Sequence, residues 1–183
     1  GSRCAATRAR ARRSRSSTGS EPTCATIGRV NISRLSDLAL RTLMLLAVGD
    51  RDGDRMTAAA IAASVNASPS HVAKIVSRLV DLGAVESRRG RGGGLQITRR
   101  GRHFPVGLLL RELEGPGEVV ECEGLQPCPL AGNCRLRREF ARAREAFFAH
   151  LDDLTVQDVV HSPTRQVLLT LEPSFRPEEH RPA

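Results

Sequence analysis

The stretch Ser68-Pro-Ser-His-Val-Ala-Lys-Ile-Val-Ser-Arg-Leu-Val-Asp-Leu-Gly83 decides the fold. Ser68 followed by Pro69 reads as an N-cap and first helical position, because the hydroxyl can accept an orphan backbone N–H and proline's φ is already helical. Val72, Ile75, Val76, Leu79 and Leu82 then fall on one side of a helix that ends at Gly83. Ser70, His71, Lys74, Ser77 and Arg78 fall on the other. Just upstream, Thr57 can cap a short Ala-rich helix, Ala58 to Val65, and Asn66 can take the left-handed conformation that ends it. Two short helices joined by a turn of about three or four residues, the second with a polar and basic face, form a helix-turn-helix.

Downstream, Ala84-Val-Glu-Ser87 and Leu95-Gln-Ile-Thr98 are strand-like pieces on either side of Arg88-Arg-Gly-Arg-Gly-Gly-Gly94. Alone, an Arg/Gly run is a solvated loop and an amphipathic helix is a helix with a solvated side. In succession they read as the recognition helix and wing of a winged helix, in which glycine lets the backbone lie close to a phosphate or in the minor groove and arginine supplies charge. The expected DNA contacts are Ser70, His71, Lys74 and Arg78 on the helix, facing the major groove. Arg88, Arg89 and Arg91 are expected in the flanking minor groove or on phosphates.

Upstream, Leu35, Leu38, Ala39, Leu45 and Leu46 recur at helical steps from Ile32, with Ser33 as N-cap and Asp37 in the first turns. The acidic tract Gly49-Asp-Arg-Asp-Gly-Asp54 breaks this helix. The formal charge of the chain is +8, but residues 1–29 hold seven arginines against Glu21, so the rest carries only +2. The bulk charge therefore says little about the folded part. The tail reads as disordered, either a basic arm that grazes DNA or a misassigned start, since the chain opens Gly-Ser without Met and Val30 stands where an alternative start codon would. The longest apolar run, Leu38 to Val48, is interrupted by Arg41 and falls short of the roughly 18 to 20 residues that span a bilayer. No export segment is visible, and a soluble cytoplasmic protein without membrane contact is expected.

Thr98 to Glu114 reads as helical with a break near Pro105, ended by Gly115-Pro-Gly117. After a cysteine-bearing segment, Leu136, Phe140, Ala143, Phe147 and Leu151 make an apolar stripe on a long helix whose arginines lie mostly off it. That helix is assigned to a homodimer interface. The tail from Pro173 is expected to fray. The expected fold is mainly α with a small β wing: a winged helix-turn-helix domain, a cluster-binding loop and a long dimerisation helix. Its parts are a tail at 1–29, the DNA-binding domain at 30–100, a connecting helix and loop at 101–135, dimerisation and C-terminal elements at 136–170, and a flexible end at 171–183.

The cysteine segment, Cys122-Glu-Gly-Leu-Gln-Pro-Cys-Pro-Leu-Ala-Gly-Asn-Cys134, spaces three thiols by two gaps of five residues. On an ideal helix six residues turn a side chain by about 240°, so these thiols share no helical face and must converge through a loop. Gly124, Pro127, Pro129 and Gly132 supply its bends. Thiolates in a reducing compartment select zinc or an iron–sulfur cluster; a disulfide suits neither the compartment nor the odd number. Zinc ligands are usually paired more closely, and three cysteines leave a tetranuclear cluster one ligand short. Cys4 and Cys24, in the basic tail, are taken as bystanders. Five scattered histidines (His71, His103, His150, His161, His180) and no nucleophile with a placed base give no catalytic constellation.

Four motifs in order, Leu35-Ser-Asp-Leu-Ala-Leu-Arg41, Arg78-Leu-Val-Asp-Leu-Gly83, the wing Ser87 to Leu95 and the Cys-x5-Cys-x5-Cys loop, resemble the IscR and NsrR family of dimeric winged-helix iron–sulfur regulators over about residues 30 to 170. Within the loop, Glu121-Cys-Glu-Gly124, Pro127-Cys-Pro-Leu130 and Cys134-Arg-Leu-Arg-Arg138 are similar to the nitric-oxide-sensing repressors of that family. The resemblance implies a [4Fe-4S] cluster on Cys122, Cys128 and Cys134, with the carboxylate corresponding to Asp37 of the other subunit as fourth ligand. It also implies a cluster-bound form that binds a palindromic operator in double-stranded DNA. IscR-like members carry a ligating histidine three residues past the third cysteine, where this chain has Arg137. The departure leaves the fourth position to an oxygen ligand. The plainer role for Asp37 is to favour the positive end of its helix or to pair with Arg41. Sensing of cluster supply or redox state, a winged helix with structural zinc, and an iron–sulfur carrier that does not bind DNA are the alternatives.

Overall fold

The computed structural model describes residues 32–49 and 55–171; the expectations for the N-terminal tail, for Asp50 to Asp54 and for the end of the chain lie outside the described residues. The chain runs α1 (Arg34–Gly49), α2 (Ala58–Ser64), α3 (Pro69–Asp81), β1 (Val85–Arg88), β2 (Gly94–Ile97), α4 (Arg99–Arg102), α5 (Val106–Glu114), α6 (Arg135–His150), α7 (Val156–Val159) and α8 (Thr164–Thr170). The fold is mainly helical with one two-stranded antiparallel wing.

Local chemistry starts the helices where the sequence places its capping residues. The Ser36 N–H donates to Ser33 Oγ at 3.2 Å, the Ala60 N–H to Thr57 Oγ1 at 3.1 Å and the His71 N–H to Ser68 Oγ at 3.3 Å. Asn66 takes φ = 50°, as the end of α2 requires. The wing strands lie one residue from their expected bounds, with Val85 opposite Ile97 and Arg88 opposite Gly94. A further pair of backbone bonds between Met56 and Leu95, at 3.0 and 2.8 Å, fastens the segment before α2 to the wing. Gly90 and Gly92 turn the tip with φ of 97° and 76°, a region that a side chain makes costly.

The core explains why α1 carries more leucine than one stripe needs. Leu38, Leu43, Leu45, Leu46 and Val48 are all buried, because α3, α5, α7, α8 and β2 surround the helix. Thr42, also buried, satisfies its hydroxyl by donating to the Leu38 carbonyl at 2.8 Å. Ile61, Val72, Ile75, Leu79, Leu95, Ile97, Val156, Val160 and Leu168 complete this core. Each such side chain contributes about 1.5–3 kcal/mol by leaving water.

A smaller core of Val106, Leu110 and Phe148 joins α5 to α6. Close approach is possible because position 107 has no side chain: a Cβ on Gly107 would overlap the Phe148 carbonyl and Asp152. Arg111 locks the junction, donating to Glu145 Oε1 at 2.6 Å and Asp152 Oδ1 at 2.8 Å. The hydrogen bonds to Asp152 and then Glu145 raise the guanidinium above its usual range and hold both carboxyls below theirs. Arg111 and Arg144 also lie over the Phe148 ring, at 5.5 and 4.7 Å from its centroid. On α6, Phe148 is the buried aromatic, while Phe147 and Leu136 on the expected stripe remain exposed. No helix among the described residues is long and apolar enough to cross a membrane.

Candidate nucleic-acid interface and cysteine loop

The expected DNA-contacting side chains lie at the surface. Ser70, His71 and Lys74 are exposed on the outer side of α3, and Arg88, Arg89 and Arg91 are exposed at and beside the wing tip. Lys74 is the only lysine in the chain, and it makes no ion pair among the described residues. His71 is partly committed to the start of its own helix, with Nδ1 2.8 Å from Ser68 Oγ. Arg78 is placed differently from its neighbours: its Nη2 donates to the Glu112 carbonyl on α5 at 3.0 Å, which ties the recognition helix to the helix leading into the cysteine loop. Arg99 and Arg100, at the start of α4 directly after the wing in the chain, are also exposed, and Arg100 lies over the Phe104 ring at 5.6 Å. They were legible only as an Arg-Arg-Gly-Arg run whose side had no periodicity to fix it. Arg102 from the same run turns inward, donating to the Ala47 carbonyl at 3.0 Å and to Gln157 Oε1 at 3.2 Å.

The second feature begins where α5 stops at Gly115. From there to Cys134 the chain forms turns and bends with no helix or strand. Its shape comes from a few backbone bonds: the Cys128 N–H donates to the Cys122 carbonyl at 3.0 Å, the Ala131 N–H to Cys128 at 3.0 Å and the Asn133 N–H to Leu130 at 3.2 Å. Cys122 is buried, Cys128 and Cys134 are half-buried, and all three are free thiols. Cys134 is the N-cap of α6 and makes no side-chain capping bond, so its sulfur stands at the positive end of a 16-residue helix. Burial pushes the Cys122 thiol up, with the charge of Glu118 next; Arg137 pulls the other way, and Cys128 and Cys134 add to the rise.

Among the described residues, no group of three or more Cys, His, Asp or Glu side chains is set to hold a metal ion. The donor set nevertheless suits an iron–sulfur centre, since three thiols occupy one loop, one of them at a helix N-terminus, with Arg137, Arg138 and Arg144 lining the adjoining groove of about 360 Å³ beside Cys134. Asp37 sits in the first turn of α1 and is paired with Arg41 at 2.9 Å, the plainer of its two expected roles. The start of its helix is anchored to the entrance of the loop: the Ser33 N–H donates to Glu114 Oε1 at 2.7 Å, the residue before Gly115. Burial pushes the Glu114 carboxyl up, but hydrogen bonds from Ser36 and Ser33 outweigh it and leave the group below its usual range.

Known proteins resemble this chain in sequence and in fold. The profile of the Rrf2 family, described as iron-dependent transcriptional regulators, matches residues 32–162. The HTH-type transcriptional repressor NsrR of Streptomyces coelicolor is 56% identical over 143 residues, covering 78% of this chain and 96% of that protein. The HTH-type transcriptional regulator NsrR of Geobacillus kaustophilus is 34% identical over 72% of this chain and 90% of its own length. Among solved structures, Staphylococcus aureus CymR superposes with a TM-score of 0.53 at 25% identity, covering 70% of this chain and 97% of that one. T. potens IscR superposes with 0.55 at 21% identity over 71% and 85%, which speaks for the fold alone. The chain belongs to the Rrf2 family of iron-dependent transcriptional regulators, DNA-binding proteins and not enzymes.

Proposed function

We propose that the chain is a homodimeric repressor whose [4Fe-4S]-bound form holds a palindromic operator and releases it on exposure to nitric oxide. The observation that carries this reading is the joining, in one rigid frame, of an exposed basic reading surface to a three-thiol loop: α5 enters that loop at Gly115, and Arg78 on the recognition helix is bonded to α5. The repressor assignment is supported by the Streptomyces coelicolor relative. The nitric-oxide assignment rests on the resemblance of the segment Glu121 to Arg138 to the nitric-oxide-sensing branch of the family.

In this reading Cys122, Cys128 and Cys134 hold the cluster, and Asp37 from the partner subunit completes it. When bound, the cluster supplies iron atoms that react with nitric oxide. Asp37 offers a hard oxygen donor beside three soft sulfurs and is the ligand most readily displaced. Among the described residues its carboxylate is held only by Arg41, an exposed i,i+4 pair worth about 0.3–0.5 kcal/mol, so exchanging that partner for iron costs little. Asp37 would tie the loop to the partner subunit, and α5, bonded to Arg78 through the Glu112 carbonyl, would link the loop to α3. A dimer reads two half-sites only while its recognition helices stay about 34–36 Å apart, so a small shift suffices to lose the operator.

The homodimer is supported by α6, whose Leu136 and Phe147 remain exposed, Phe147 along a groove of about 430 Å³ that also takes in Ile32, Phe140 and Phe148. A second copy of the helix is the occupant that symmetry offers. A carrier that does not bind DNA would have no use for the wing, and a cell-interior location follows from the DNA target.

The test is the visible absorption spectrum of anaerobically purified protein with iron and sulfide assays. Iron and sulfide in equal amounts, with broad visible absorption, support the proposal; zinc without colour contradicts it.

A further inference from the structure

The cysteine loop is tied down by Arg137, the residue that stands where IscR-like proteins carry a ligating histidine. Arg137, in the first turn of α6, donates from Nε to Glu118 Oε1 at 2.8 Å and from Nη2 to the same oxygen. Nη2 also donates to Glu123 Oε1 at 2.6 Å, and Nη1 to the Ala131 carbonyl at 3.2 Å. These acceptors bracket the thiols. Glu118 precedes Cys122, Glu123 follows it directly, and Ala131 lies between Cys128 and Cys134 with its own N–H on the Cys128 carbonyl. Arg137 itself stands one helical turn beyond Cys134, and its side chain is only 26% exposed. Surface ion pairs usually join two side chains and do little. Here one planar guanidinium gathers three segments of a loop that has no helix or strand of its own.

We propose that Arg137 is a positioning residue that sets the spacing of Cys122, Cys128 and Cys134 before any metal arrives. A guanidinium has donors and no acceptor, so it cannot ligate iron; its part is to hold the ligands. A lysine would keep the charge but not the fork that reaches three acceptors at once. The inference rests on the reading of this loop as the cluster site.

The experiment compares Arg137→Ala and Arg137→Lys with Arg142→Ala, whose guanidinium bonds only Glu139 on the same helix. In metal-free full-length protein, alkylation of each cysteine by N-ethylmaleimide is timed by mass spectrometry, with Cys4 and Cys24 as internal references. Arg137→Ala is expected to expose Cys122 and Cys128 roughly ten-fold faster, because the charge-assisted bonds that keep the loop closed are gone. Arg137→Lys should fall between, and Arg142→Ala should match wild type. In iron-loaded protein, the visible absorption of Arg137→Ala should decay about 10- to 100-fold faster against a chelator, and its visible circular dichroism should change shape. Wild-type alkylation rates and wild-type cluster lifetime in Arg137→Ala would overturn the proposal. If far-ultraviolet circular dichroism shows that Arg137→Ala is unfolded, Glu123→Gln carries the same test, with the same direction expected and unchanged alkylation overturning it. If wild type takes up no iron, the cluster reading fails, and the alkylation comparison alone decides the role of Arg137.

Discussion

The reading domain and the cysteine loop are built on opposite principles. The helix-turn-helix and wing close over a core in which Leu43, Ile61, Val72 and Leu79 are wholly inaccessible, and helix caps and strand pairs satisfy their backbones. The loop from Gly115 to Cys134 turns Leu125 and Leu130 outward and keeps its shape through a few turns and the fork of Arg137. The first region needs nothing from outside the chain to be rigid. In the proposed function the second receives a cluster, a division in which one half reads DNA while the other answers a signal. Between them stands the Arg111 junction of α5 with α6, polar and partly exposed.

The comparison breaks most visibly if the loop's thiols are exchanged. Cys122→Ser, Cys128→Ser or Cys134→Ser should abolish iron binding under anaerobic reconstitution, and Cys4→Ser with Cys24→Ser should not. Helical content should be unchanged throughout. Full iron in any of the first three would remove that cysteine from the ligand set. The reverse experiment strikes the other region: Leu79→Ala in the core should cost about 2–5 kcal/mol in urea unfolding, against less than about 0.5 kcal/mol for Leu125→Ala at the loop surface. Equal losses would mean that the loop is part of the core after all.

Substitutions on the reading face should spare both stability and iron. Lys74→Ala should cost about 1–3 kcal/mol of operator affinity if its ammonium reaches a base edge, and Arg91→Ala should lower the log–log salt slope by about 0.9 if it sits on a phosphate. Wild-type affinity in both, measured by fluorescence anisotropy, would move the interface elsewhere. The smallest effect belongs to the junction. Glu145 and Asp152 titrate below their usual 4.5 and 3.8, so their contribution is full above those values and is lost as pH falls through the lower folded ones. The stability gap between wild type and Arg111→Leu should therefore persist at neutral pH and shrink as pH falls below the ordinary carboxylate range; a gap constant with pH would assign Arg111 to packing alone.

How far the sequence is legible follows the same divide. Ser68-Pro69, Thr57 and Asn66 announce their turns because capping is a matter of neighbouring residues, and the wing is visible because its strands flank a glycine-rich tip. Contacts between distant residues leave no such mark. Periodicity groups Arg78 with the DNA-facing side chains, yet the Glu112 carbonyl that it meets lies 34 residues away. Spacing picks out Phe147 on α6, but close approach at Gly107 buries Phe148 instead. The cysteines' spacing shows that they need a loop. It does not show that Arg137, 19 residues from Glu118 and 14 from Glu123, holds that loop in place. Asp37 is legible as an acidic residue near a helix start, and among the described residues its carboxylate meets only Arg41.

In the proposed function the loop's cluster governs the reading domain's hold on DNA. It is tested most directly by an anaerobic mobility shift of cluster-loaded protein on its operator, before and after stoichiometric nitric oxide, at one fixed salt concentration. A complex that forms with loaded protein and disappears on nitric oxide is the predicted result; a complex that survives nitric oxide unchanged would contradict it.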